Sequence, residues 1–239
     1  MVENKTDIQQ PQGAGQGPKK SRDFDLESSM HNAEDFFQKN KKVITIGLVA
    51  VVVIVGGFFA YNRFVKGPNE QKAQEMAFPA QHYFEVDSFK LALNGDGSNY
   101  GFLEVIKKYG GTKAGNLAKY QAGVSYVRLG DFQKGIDLLK EFNANDLLVQ
   151  SMAYGITGDA YMELGKDAEA IEYYKKAGNY NNNELTSPLY LFRAALALEK
   201  NKKNDEAIEI YKQIKDKYPT SQEARNVDMY LARLGVVKE

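Results

Sequence analysis

The sequence predicts an all-α chain in which one transmembrane helix precedes an α-solenoid of about three to four helical hairpins and a C-terminal capping helix. Two observations lead to this prediction. Residues Val43–Ala60 form an apolar run without a single charged side chain. Beyond Pro68, apolar and polar residues alternate with a helical period, and small residues recur about 35 positions apart.

The apolar run VITIGLVAVVVIVGGFFA carries Thr45 as its only polar side chain. At a rise of ~1.5 Å per residue it is about 27 Å long, and residues 43–64 together reach across a ~30 Å hydrocarbon core. Three lysines within residues 39–42 flank its N-terminal side, which places that side in the cytoplasm by the positive-inside rule. The preceding region is too long for the n-region of a cleaved signal peptide. We therefore predict an uncleaved, single-pass anchor.

Two segments precede this span. Residues 1–22 are rich in Pro, Gly and Gln, and this composition predicts a disordered cytoplasmic arm. Residues 23–42 predict a juxtamembrane amphipathic helix, which either rests at the membrane interface or frays. Its apolar face comprises Phe24, Met30, Ala33, Phe36 and Phe37.

Three stretches of the C-terminal part align with one another: SYVRLGDFQKGIDLLKEF, DAYMELGKDAEAIEYYKKA and NKKNDEAIEIYKQI. We expect each to belong to a hairpin whose two helices approach closely at a small residue on each helix, with a large side chain beside it. The small residues are Gly123, Gly158 and Ala195 on the first helices and Gly135, Ala170 and Ala207 on the second. Gly130 and Gly165 permit the tight turn between the helices.

The repeats predict domain boundaries for residues 69–239, which we expect to form one extracytoplasmic domain. The Gly67-Pro68 pair is expected to end the helix of the span. A degenerate first hairpin has Glu70–Leu93 as its long helix and Tyr100–Tyr109 as its second helix. The predicted hairpins cover residues 70–110, 116–149, 151–184 and 188–221, and the predicted cap covers 222–236.

Composition excludes several kinds of chemistry. The formal net charge is +0, so no overall field attracts nucleic acid, and the absence of Cys excludes disulfides and thiolate sites. His31 and His82 fall on opposite sides of the predicted membrane, so they cannot share a metal or a catalytic site. The loop Asn94–Asn99 has Asn99 and Val105 where an EF-hand needs Gly and Glu. We expect no enzymatic activity, cofactor, metal, small-molecule substrate or nucleic acid.

The small, large and turn residues resemble those of the tetratricopeptide repeat (TPR) family, which has a period of ~34 residues. Gly135 and Lys202 depart from the family pattern, since alanine and glycine are usual there. The resemblance implies a partner-binding groove at Leu117, Tyr120, Val124, Val127, Arg128, Met152, Asp159, Met162, Glu163, Leu189, Phe192, Leu196, Glu199 and Lys200.

Two interpretations of these groove positions remain open. Their apolar and aromatic character suits an amphipathic helix or an extended apolar segment of a partner protein, but the same side chains are also suited to packing against a neighbouring helix of the chain. The Lys and Asn of chaperone-binding carboxylate clamps are replaced by Tyr120 and Val124, so the sequence does not support that activity.

The whole arrangement is similar to membrane-anchored bacterial TPR proteins, and among them to the single-span ancillary subunits of the Sec translocon. The similarity rests on FFQKNKKV before the span and on DSFKLALNGDG, TKAGNLA and IKDKYPTSQEAR after it. It implies a bacterial inner-membrane protein with a periplasmic TPR domain. The implied partners are translocon subunits and a periplasmic chaperone or exported client. The alternative is a structural scaffold of cell division or outer-membrane assembly, and the span itself is a possible docking surface in either setting.

Overall fold

The computed structural model describes residues 26–236, and these are helical apart from turns, loops and one isolated β-bridge between Gly95 and Tyr100. The predicted disordered arm, residues 1–22, lies outside the described residues. The described part divides after Phe58 into two units, which are considered separately below.

Helix α1 runs from Leu26 to Tyr61 and includes the apolar run and residues 26–42 of the predicted amphipathic segment, whose first residues lie outside the described part. The stretch Phe36–Glu85 contains a window of mean hydropathy 2.8, none of it buried, so that length and composition make it a candidate membrane span. Within residues 43–60 every Val, Leu and Phe side chain is exposed, as are Ile46 and Ile54, whereas Ile44 is half-buried. A helix of a water-soluble domain would instead have one polar face.

The chain does not leave the helical conformation at Gly67-Pro68, contrary to the prediction. A π-helical turn, Asn62–Lys66, joins α1 to α2 (Gly67–Glu85), and the Gly67 N–H donates to the carbonyl of Asn62. Pro68 lies in the first turn of α2, where its missing N–H and fixed φ are tolerated. The wider π turn therefore accommodates the proline without ending the helix.

Nine further helices follow α2 in the part of the chain that the structure describes. They are α3 (Phe89–Asn94), α4 (Phe102–Tyr109), α5 (Lys113–Arg128), α6 (Phe132–Glu141), α7 (Val149–Glu163), α8 (Asp167–Asn179), α9 (Ser187–Lys200), α10 (Asn204–Lys217) and α11 (Ala224–Arg233). Helices α5 and α6, α7 and α8, and α9 and α10 are the first and second helices of three hairpins, and α11 packs on α10.

Five helices end in the same hydrogen-bonded turn, the Schellman motif. In each, one residue has a left-handed φ and donates its N–H three residues back, and the next N–H donates five residues back. The left-handed residues are Asp87 (57°), Gly130 (84°), Gly165 (69°), Lys202 (59°) and Gly235 (86°). The predicted single helix Glu70–Leu93 is therefore wrong, because the turn at Asp87 divides it into α2 and α3. Helix α11 ends, at Gly235, as the first helix of a hairpin does.

The small residues lie where the two helices of a hairpin are closest. A Cβ atom on Gly123 would lie 2.7 Å from Cγ of Leu139, and one on Gly158 would lie 2.7 Å from Cδ1 of Tyr174. Ala195 is completely buried. The predicted close approach is thus confirmed at Gly123 and Gly158. Ala80 of α2 and Ala92 of α3 have the same spacing and are also completely buried, so α2 and α3 form a further hairpin of this type.

Successive hairpins are joined by side-chain hydrogen bonds between residues 34 positions apart. The joined pairs are Asp159 and Arg193, Asp167 and Asn201, Asn179 and Gln213, and Glu199 and Arg233. Equivalent faces of neighbouring units therefore stack on one another, as they do in a solenoid.

Candidate partner-binding groove

The first helices α5, α7 and α9 line an open groove. One section of about 650 Å³ is lined by Val124, Val127, Arg128, Phe132, Ile156, Asp159, Met162, Glu163, Tyr174 and Arg193. A second section of about 370 Å³ shares Asp159, Met162, Tyr174 and Arg193 with the first and adds Leu196, Ala197 and Lys200. Because four residues are common to both, the two sections adjoin, and together they extend from α5 to the end of α9.

Most of the predicted groove residues line these two sections. They are Val124, Val127, Arg128, Asp159, Met162, Glu163, Leu196 and Lys200. Two other predicted positions lie elsewhere on the surface: Leu117 lines a separate recess of about 730 Å³ beside residues 142–146, and Met152 is 39% exposed. Leu189 is half-buried against the core.

Three predicted positions are covered by the chain itself. The rings of Tyr120 and Phe142 pack with centroids 5.2 Å apart, because Phe142 ends α6 directly beside α5. Helix α11 covers the other two. The Tyr230 ring packs edge-on at 5.0 Å from that of Phe192, and Nη2 of Arg233 donates to both carboxylate oxygens of Glu199 at 2.9 and 2.7 Å. At these three positions the side chains pack against neighbouring parts of the same chain, which is the second of the two interpretations left open by the sequence.

A polar cluster forms the floor of the groove. Nη1 of Arg193 donates to both oxygens of Asp159 at 2.6 Å, and the Tyr174 hydroxyl donates to Oδ1 of Asp159 at 2.7 Å. Burial and the bond to Asp159 raise the pKa of Tyr174 above its ordinary value. Burial, together with Asp159, raises the pKa of the adjacent Tyr190 to about 12. Both tyrosines are therefore neutral hydroxyls at physiological pH, and the charge of Asp159 is matched by Arg193.

The cluster includes groove residues that the sequence analysis did not single out, among them Tyr174 and Arg193. A signal was present in the repeat spacing. Ile156 and Arg193 each stand two positions before the small residue of their helix, Gly158 and Ala195. In helices that stack in register, this position faces the groove next to the predicted ones.

Of the other charged side chains that line the groove, Lys200 forms an ion pair, whereas Arg128 and Glu163 do not do so with any described residue. Nζ of Lys200 donates to Asp167 at 3.0 Å, and this bond, with one from Asn201, lowers the pKa of the Asp167 carboxyl. Among the ion pairs of the part that the structure describes, none involves Arg128 or Glu163. The groove thus carries a cation and a carboxylate that are free to pair with something else.

Over residues 26–236, no group of three or more His, Asp or Glu side chains is placed to hold a metal. In the loop Asn94–Asn99, the Asp96 carboxylate accepts hydrogen bonds from the Tyr83 hydroxyl, the Asn99 N–H and amide, and the Ser98 N–H. These donors hold the pKa of Asp96 well below its ordinary range. The carboxylate therefore closes the loop.

Comparison with known proteins identifies the repeats. Residues 120–184 and residues 190–221 match two family models of the tetratricopeptide repeat, so these segments are TPR repeats and the predicted repeat type is confirmed there. No curated protein matches the chain. The similarity to single-span subunits of the Sec translocon stays a prediction.

Two solved structures match part of the chain. "Crystal structure of MamA" is 20% identical with a TM-score of 0.42, covering 56% of this chain and 80% of its own. "Crystal structure of MamA protein" is 17% identical with a TM-score of 0.49, covering 71% of this chain and 85% of its own.

Proposed function

We propose that this chain is a membrane-tethered adaptor that binds a segment of a partner protein in its groove and catalyses no reaction of its own. The groove formed by the two adjoining sections across α5, α7 and α9 carries the proposal. It is open to solvent, and it combines apolar side chains with an arginine and a glutamate that belong to no ion pair among the described residues. TPR repeats mediate protein–protein interactions, and a groove of mixed apolar and polar lining suits a peptide segment.

The tether is α1. Its apolar section is long enough to cross a bilayer, and Lys39, Lys41 and Lys42 are exposed at its N-terminal border. We propose a bacterial inner-membrane location, with the N-terminus in the cytoplasm and the TPR domain in the periplasm.

Membrane extraction and protease accessibility test this part. The full chain is expected to stay in the membrane pellet at alkaline pH, and added protease is expected to digest its TPR domain in spheroplasts but not in intact cells. A variant with charged residues replacing Val51 and Ile54 serves as the control and is expected to become extractable. Extraction of the unaltered chain contradicts the tether, and protection of its TPR domain in spheroplasts contradicts the periplasmic orientation.

Site-specific photo-crosslinking tests the groove. A photoreactive residue at Ile156, which lines the groove, is expected to form protein adducts in cells. The matched control is Glu172, which is exposed on the second helix α8 and does not line the groove. Identical adducts from both positions, or none from Ile156, contradict a groove that binds proteins.

The identity of the adducts separates two settings. If the adaptor acts at the Sec translocon, the adducts contain translocon subunits, a periplasmic chaperone or exported clients. The soluble part from Pro68 then slows aggregation of an unfolded secretory protein. If it is an envelope scaffold, the adducts contain folded assembly proteins and aggregation is unchanged. Replacing Val43–Ala60 with an unrelated span is expected to abolish recruitment only if the span is itself a docking surface.

A further inference from the structure

The Arg193 side chain is held in place by its contacts, but only one of its three side-chain nitrogens donates hydrogen bonds within the described part of the chain. Its Nη1 group gives its hydrogens to the two oxygens of Asp159, and its guanidinium carbon lies 5.6 Å from the centroid of the Tyr190 ring. No hydrogen bond among the described residues uses Nη2 or Nε of Arg193. These atoms keep N–H donors in a fork geometry that matches a carboxylate. Asp159 thus acts as a positioning residue for a cation in the groove floor.

A second guanidinium and an apolar lining surround this point. Arg128 of α5 is exposed, lines the same groove section and belongs to none of the ion pairs of residues 26–236. Val124, Ile156 and Met162 line the same section as the two arginines, and Leu196 lines the second section together with Arg193. The free donors of the groove therefore outnumber its one unpaired carboxylate, Glu163.

We propose that Arg193 and Arg128 bind the carboxylate of an acidic side chain that lies within an apolar segment of the partner protein. This inference rests on the proposed groove function and specifies its ligand. The segment's apolar residues cover Val124, Ile156, Met162 and Leu196, and its Asp or Glu accepts hydrogen bonds from the free nitrogens of Arg193. Partial exclusion of water from the groove strengthens such charge-assisted bonds.

The shape of the groove favours an internal acidic residue over a C-terminal carboxylate. Arg193 lines both sections, so the groove continues past it toward α5 on one side and toward Lys200 on the other. A segment can therefore pass Arg193 in both directions. The unpaired Glu163 would repel any further acidic residue of the bound segment. This repulsion favours a segment with one acidic residue in an otherwise apolar stretch.

The chain contains a matched control for the loss of an ion pair. Arg233 binds both oxygens of Glu199 through one nitrogen, as Arg193 binds Asp159, and the residues are again 34 positions apart. Neither Arg233 nor Glu199 lines the groove sections. Arg233→Gln therefore removes an equivalent contact between stacked units and leaves the groove unchanged.

The test measures peptide binding by the full chain in nanodiscs. The probes are fluorescent twelve-residue peptides of Leu, Ala and Ser, capped at both ends, with Glu, Gln or Lys at the centre. A fourth peptide has a central Gln and a free C-terminal carboxylate. We expect the Glu peptide to bind about five- to tenfold more tightly than the Gln peptide, which is within the net range of an ordinary hydrogen bond and suits a groove that stays partly open to solvent. We expect Arg193→Gln to abolish this preference and Arg233→Gln to preserve it.

Arg128→Gln provides a second variant, which breaks no ion pair among the described residues, and it is expected to reduce the Glu preference severalfold. Equal binding of the Glu and Gln peptides overturns the inference while leaving a protein-binding groove intact. Preference for the peptide with the free C-terminus also overturns it, in favour of a terminal carboxylate. Absence of binding by every peptide, together with absence of adducts at Ile156, overturns the proposed function as well.

Discussion

Lys202 adopts at the end of α9 the same left-handed backbone conformation that Gly165 adopts at the end of α7, with φ angles of 59° and 69°. The hydrogen bonds of the two turns are equivalent: Lys202 N–H donates to Glu199, and Gly165 N–H donates to Met162. Glycine adopts this conformation without steric cost, whereas a side chain with a Cβ is strained there by roughly 1–2 kcal/mol. The bonds of the turn hold Lys202 in place against that cost.

We expect Lys202→Gly to stabilise the TPR domain by about 0.5–1 kcal/mol, because relief of strain exceeds the added flexibility of the unfolded chain. The measurement is urea unfolding of a fragment beginning at Gly67, in which the midpoint rises and the slope stays constant. Lys203→Gly is the control, since Lys203 has a φ of −91°. A midpoint that rises equally in both variants, or in neither, contradicts the explanation.

Gly158→Ala is expected to destabilise the domain by about 1–3 kcal/mol, the range for overpacking a core. The new methyl group would meet the Tyr174 ring at 2.7 Å, and the bond from the Tyr174 hydroxyl to Asp159 restricts how far the ring can move. Thermal unfolding gives the measure. Gly111→Ala, where nothing lies within 4 Å of the added atom, is the control and is expected to have little effect. A neutral Gly158→Ala would show that the hairpin is not tightly packed there.

Glu70→Gln is expected to loosen the start of α5. The Glu70 carboxylate of α2 accepts hydrogen bonds from the backbone N–H groups of Lys113 and Ala114 at 2.7 and 2.9 Å, so a helix terminus is capped by a distant residue. Removing the negative charge near a helix N-terminus typically costs about 0.3–1 kcal/mol. Amide hydrogen exchange should therefore speed up severalfold at Ala114.

Glu75→Gln is the control for this effect. Glu75 lies on the same helix and accepts a hydrogen bond from Gln71 within α2. Its replacement should leave exchange at Ala114 unchanged. Equal acceleration by both variants would mean that the charge of α2, rather than the cap, is responsible.

We expect the free energy of unfolding to depend on pH through Asp96. Its folded-state pKa lies below the unfolded value of about 4, so its contribution is fully present above pH ~4 and is lost as pH falls through the folded pKa. The stability difference between the unaltered chain and Asp96→Asn should be constant from pH 7 to about 4 and shrink at lower pH. Tyr83→Phe removes the donor with the largest effect and should move this loss to higher pH. A difference that is independent of pH contradicts the assignment.

Local pattern was sufficient to predict the hairpins but not the whole groove. Gly123 and Gly158 recur in register, and a small residue at a helix crossing needs no knowledge of distant contacts. Arg193 was missed because its role depends on Asp159 of the preceding unit. Phe192 is covered because α11 packs over it, which depends on the arrangement of helices. The end of α2 was missed for a different reason. The turn at Asp87 contains no glycine, so the sequence lacks the residue that marked the turns at Gly130 and Gly165.

The contact of Glu70 with α5 has a mechanical consequence. A pull on the polypeptide from the Gly67 side would load the two bonds to Lys113 and Ala114 along with the packing of α2, so α2 would resist being peeled away. Tension applied at Gly67 would then pass into the hairpin of α5 and α6 instead of unravelling α2.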